Sequence, residues 1–150
     1  MKLLSVSFCL FILSGISAMS LVVAQEQSND KQSSDISNLI GNWSGESLCV
    51  NRDKFPACHD EQVVYRIVKS PGKSNGLTIT MDKIVNGKPE TMGVLDFVYD
   101  AQKQTLAGEF ARNNVRGIFE LTVKGDLMEG TLSILPERTL VRRIKVKKDR

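Results

Sequence analysis

From Leu39 onward the chain repeats one pattern: short runs of alternating apolar and polar residues, interrupted by turn formers at intervals of about eight to twelve residues. A period of two places successive side chains on opposite faces of a strand, so each run has one apolar face to bury. No window of ten or more residues after the amino-terminal apolar stretch carries the 3.6 period of an amphipathic helix. The pattern therefore predicts an all-β fold.

The runs follow one another without long gaps. In Leu39–Cys49 the residues Gly41, Trp43, Gly45 and Ser47 share a side, and glycines beside the tryptophan point to a tightly bent strand. Gln62–Ser70 sets Val63, Tyr65 and Ile67 on one face, and Leu77–Val85 does the same with Leu77, Ile79 and Met81. Asn86-Gly87 then supplies a two-residue hairpin turn, since both positions tolerate positive φ. Glu90–Tyr99 presents Leu95, Phe97 and Tyr99, Thr105–Arg112 presents Leu106, Gly108 and Phe110, and Val115–Lys124 presents Phe119, Leu121 and Val123. Leu127–Leu135 and Thr139–Lys147 complete the series. About eight antiparallel strands in sequence order make a meander, and closure into a single up-and-down barrel removes its exposed edges.

The start of the chain sets the expected compartment. Met1-Lys2 is a small positive region, Leu3 to Val23 is apolar with scattered Ser and Gly, and Val22-Val23-Ala24 ends in a cleavage-compatible triplet. Residues 1–24 are read as a secretory signal peptide rather than a retained anchor. Residues 25–37 are almost devoid of apolar side chains and are read as a flexible polar linker, leaving 38–148 for the barrel. Export implies a Cys49–Cys58 disulfide, because these are the two cysteines beyond Cys9 in the leader. Closing a loop of about ten residues contributes roughly 2.5–3 kcal/mol in the chain-entropy account. A Cys49/Cys58/His59 metal site is not expected, as the spacing fits no zinc pattern and a fourth ligand is wanting.

Removing Lys2 with the leader leaves 19 of the 20 basic residues against 17 acidic ones. That balance argues against a nucleic-acid partner, and no stable membrane insertion is expected once the leader is gone. The basic last strand and tail (Arg138, Arg142, Arg143, Lys145, Lys147, Lys148, Arg150) has no interleaved aromatics to stack on bases. It reads as a solvated edge.

In the last run, the alternation that turns Leu140, Ile144 and Val146 inward also turns Arg142 inward, where it must find a carboxylate, backbone carbonyls or an aromatic face. Gly41-x-Trp43 on a first strand, with Arg142 on the last strand beside it, resembles the lipocalin and wider calycin pattern. The opening W-x-G-x-S-x-C…C-x-D-E is also similar to that of small secreted bacterial proteins without an assigned activity. The calycin resemblance implies a lipocalin-like barrel in which Arg142 covers Trp43, closing one end as a structural pair away from any ligand.

A secreted or periplasmic barrel of this size can hold one small apolar ligand. Tyr65, Met81, Leu95, Phe97, Phe110, Phe119 and Leu121 are the candidate lining residues. The competing expectation is that the same side chains fill a dry core, leaving a non-enzymatic structural or interaction protein of the envelope. An enzyme is not expected. His59-Asp60-Glu61 holds acid and base groups, but Cys58 is consumed by the disulfide, and serine-elbow, phosphate-loop and helical metal motifs are lacking. No cofactor is implied, and no protein partner can be named from the sequence.

Overall fold

The computed structural model describes residues 36–150. The leader and all but the last two residues of the linker lie outside them. Eight strands follow in order: β1 (Gly41–Cys49), β2 (Glu61–Lys69), β3 (Gly76–Val85), β4 (Lys88–Asp100), β5 (Thr105–Arg112), β6 (Val115–Lys124), β7 (Leu127–Leu135) and β8 (Thr139–Lys148). Each pairs antiparallel with the next and β1 pairs with β8, so the sheet closes into an up-and-down barrel. The expected fold class and strand order are those the chain adopts.

Turn chemistry accounts for the tight connections. Asn86 and Gly87 have φ of 52° and 77° and join β3 to β4 between the paired Val85 and Lys88. Asn113 and Asn114, at 49° and 64°, join β5 to β6 in the same way. Two consecutive positive φ values give the turn whose twist matches a hairpin, and Asn and Gly reach them at least cost.

The inward faces meet in one core that includes Val63, Ile67, Leu77, Ile79, Leu106 and Met128. Its lower end is sealed. Trp43 is fully buried and its indole N–H donates to the Leu39 carbonyl at 2.9 Å. The turn that supplies this carbonyl folds under the barrel, with Leu39 N bonded to Ile36 O at 2.9 Å. Ile36, expected in the polar linker of residues 25–37, is 2% exposed and belongs to the core.

The Trp43–Arg142 pair does not form. In the β1–β8 register Trp43 stands opposite Lys148 and Cys49 opposite Arg142, so the arginine is six residues further along. At about 3.3 Å per residue the separation is roughly 20 Å. The cation at the tryptophan is Lys148, whose Nζ lies 6.0 Å from the ring centroid and donates to the Asn38 carbonyl. Arg142 does face inward, but at the other end of the barrel. β8 also departs from strict alternation: Leu132 pairs with Arg142 and Ser133 with Leu140, so Val141 is an extra residue and is buried rather than exposed.

One seam is short. β4 and β5 pair only through Val98–Ala107, Tyr99–Leu106 and Asp100–Thr105. Beyond these the two strands separate toward the upper end.

If Trp43 seals the base, Trp43→Ala should lower stability by about 3–5 kcal/mol through the cavity it leaves. Chemical denaturation checks this, and an unchanged midpoint would contradict the role.

Candidate functional site

The upper half of the barrel encloses a cavity of about 380 Å³. Two phenylalanine rings pack against glycines of the barrel wall, Phe110 at the cavity and Phe97 in the core beside it. Phe97 covers Gly108, where an added Cβ would come within 2.8 Å of its ring, and Phe110 covers Gly117 in the same way. Phe119 stands between them, with ring centroids 6.0 Å from Phe97 and 6.1 Å from Phe110, both tilted. These are ordinary aromatic packing distances.

The seven sequence candidates divide. Tyr65, Met81, Leu95, Phe110 and Phe119 line the cavity. Phe97 and Leu121, each 1% exposed, lie in the packed core. Sequence reasoning missed a polar group on the same wall: Ser47, Glu61 and Arg142 also line the space, Arg142 having been assigned to Trp43. Glu61 was legible in principle. It has the same parity as Val63 and opens β2, one residue before the start at Gln62 that the alternation suggests.

These polar side chains form a compact cluster. Arg142 Nη1 donates to the Ser47 carbonyl at 3.2 Å, to Ser47 Oγ at 3.2 Å and to the His59 carbonyl at 3.0 Å. The same nitrogen lies 3.0 Å from Glu61 Oε2, with the arginine and glutamate side chains 16% and 20% exposed. Nη1 has two N–H groups, and the three oxygens already share them. Glu61 Oε2 is therefore held by charge alone and accepts no hydrogen bond. Tyr65 shares a hydrogen bond with Ser47; burial, with the Glu61 charge adding to it, keeps its phenol neutral far above the usual range, although Arg142 opposes this.

The loop between β1 and β2 fixes one side of the cluster. The Cys49–Cys58 disulfide is formed, as expected. Asp60 accepts from Cys49 N at 2.9 Å and pairs with Arg52 at 2.8 Å. These bonds, the backbone one first, hold the Asp60 carboxyl below its ordinary value. His59 contributes its carbonyl to Arg142, and Cys58 is in the disulfide, so His59-Asp60-Glu61 serves to position rather than to gather acid and base around one point. Among the described residues no group of three or more His, Cys, Asp or Glu is arranged to hold a metal ion.

The cavity reaches the outside along the short seam. Met92, Gly93 and Val94 of β4 and Ala111 and Arg112 of β5 line it. Val94 and Ala111 have the outward parity of their strands and are exposed, so the space opens between β4 and β5. Met92 is an extra residue at the β3–β4 irregularity, where Met81 pairs with Gly93 and Asp82 with Thr91. Alternation alone does not place it.

No protein-family model and no curated protein matches the sequence. Among solved structures, the chain is similar to secretory abundant heat soluble protein 4 from Ramazzottius varieornatus, with 16% identity over 74% of this chain and 94% of that one, TM-score 0.49. It is also similar to Echinococcus granulosus fatty-acid-binding protein 1, with 9% identity over 76% and 99% of the two chains, TM-score 0.46. A third is a Schistosoma mansoni fatty acid binding protein in complex with arachidonic acid, with 11% identity over 77% and 99%, TM-score 0.46.

The pH dependence follows from the shifted groups. Asp60, Asp96 and Asp100 are all held below the ordinary 3.8 by hydrogen bonds and nearby cations. The unfolded chain takes up protons first, so the stability they contribute is present above about pH 4 and is lost below it. Tyr65 is shifted upward, so its contribution is present below about pH 10 and is lost above it as the unfolded phenol ionises. The unfolding midpoint should fall at both extremes, less steeply in acid for Asp60→Asn and less steeply in alkali for Tyr65→Phe. Thermal unfolding across pH checks both slopes, and variants that track the wild type would contradict the assignment.

Proposed function

We propose that the protein is an exported, non-catalytic carrier of one small apolar molecule, held in the upper barrel and admitted between β4 and β5. The observation that carries this reading is the cavity of about 380 Å³, lined by Tyr65, Met81, Leu95, Phe110 and Phe119 and open at the seam. Its size falls in the range of small-molecule sites, and its wall is mostly apolar with a few convergent polar groups, the usual composition of such sites. A barrel packed solid throughout, the other reading of the sequence, would place those five side chains against one another rather than around a space. Export is supported by the leader pattern in residues 1–24 and by the Cys49–Cys58 disulfide, which persists in oxidising compartments.

The test is titration with the neutral fluorescent dye Nile red. The wild type should take up one dye per chain with a blue-shifted emission. Leu95→Trp, which fills the cavity from its wall, should bind at least tenfold more weakly with an unchanged circular dichroism spectrum. No uptake by the wild type, or equal uptake by the variant, would overturn the carrier reading.

A further inference from the structure

Three charged residues line the cavity, Glu61, Arg112 and Arg142, and together they leave one positive charge. Glu61 and Arg142 offset each other at 3.0 Å, with both side chains largely buried. The charge left over is that of Arg112. This residue ends β5 on the same parity as Phe110, so its side chain leaves the backbone on the inward face, and it is exposed where the seam opens. Among the described residues the Arg112 side chain has no hydrogen-bond or ion-pair partner. The carboxylates of β4, β5 and β6 are engaged elsewhere: Glu90, Asp96, Asp100, Glu109 and Glu120 each lie within 3.4 Å of a different cation.

A guanidinium at the rim of an apolar space is a ready partner for an anion, with five N–H donors and a charge that is never lost. Its position sets the orientation of what it meets. An apolar chain gains by entering among Met81, Leu95, Phe110 and Phe119, whereas an ionised head drawn inside would give up its hydration and find the inner arginine already neutralised. At the mouth the head keeps its water and gains Arg112. A cationic head in the same place is repelled, and a neutral one is indifferent to the charge. Because Arg112 is exposed, the contact is screened by salt and gives a severalfold preference rather than an absolute one.

We infer that the carried molecule is an amphipathic anion: its apolar chain occupies the upper barrel, and its acidic head stays at the β4–β5 mouth, paired with Arg112, the residue that selects the charge of the head. This rests on the carrier reading above.

Displacement of bound Nile red by three probes of one chain length tests it: decyl sulfate, 1-decanol and decyltrimethylammonium. Each is compared with itself between the wild type and Arg112→Glu, so that differences in the probes' own hydration cancel. Reversing the charge should raise the decyl sulfate concentration needed by about fivefold, lower that of decyltrimethylammonium by about threefold, and leave 1-decanol unchanged. A second measurement needs no variant: sodium chloride at about 1 M, where charges act over only about 3 Å, should weaken decyl sulfate relative to 1-decanol in the wild type. Decyl sulfate displacing the dye equally from both proteins, or losing nothing to salt relative to 1-decanol, would overturn the Arg112 assignment while leaving an apolar carrier standing. Equal weakening of all three probes in Arg112→Glu would make Arg112 part of the shape of the mouth and overturn the assignment too. Dye that does not bind, or that no probe displaces, would overturn the carrier reading and this inference with it.

Discussion

Hydrogen bonding of β1 to β8 is the constraint on which the rest depends. With the first strand joined to the last, no backbone edge remains between them, and register fixes which side chains share a level of the interior. The two backbones approach so closely at Gly45 that any Cβ there would strike the Lys145 carbonyl and come within 2.8 Å of Val146 Cα. Glycine at this point is what closure needs. It also places Trp43 and Ser47, four residues apart on the inward face of one strand, at opposite ends of the barrel's contents. One seals the base; the other anchors the polar cluster.

The interior is consequently asymmetric. Below, Trp43, Ile36, Leu39 and the aliphatic side chains of β2, β3 and β6 pack without space for a ligand. Above, Gly117 leaves room for the Phe110 ring against the wall, and the middle stays open. The charge pair set into that wall is held by backbone carbonyls and by a disulfide-stapled loop, so its atoms are placed before any ligand arrives. Removing either partner of such a pair strands the other, which is why Glu61 and Arg142 act as one unit.

Much of this architecture was legible in the residues. The period of two, Asn86-Gly87 and the short connections gave the strands and their order within about two residues, and five of the seven candidate lining residues do surround the cavity. Register was not legible. Knowing that β1 adjoins β8 does not say whether Trp43 meets Arg142 or Lys148, because either offset preserves the alternation. Extra residues at Met92 and Val141 break parity without a sequence signal, and the separation of β4 from β5 leaves both strands alternating as though paired. Ile36 stood alone in a polar stretch, and only the turn beneath the barrel gives a lone apolar side chain somewhere to go.

The central claim is that the upper barrel is built to be occupied. Native mass spectrometry of the protein purified from its own host, followed by extraction and identification of what travels with it, tests that most directly. The account predicts a stoichiometric small apolar molecule. A clean mass for the protein alone, from material shown to be folded and with the Cys49–Cys58 bond intact, would contradict it.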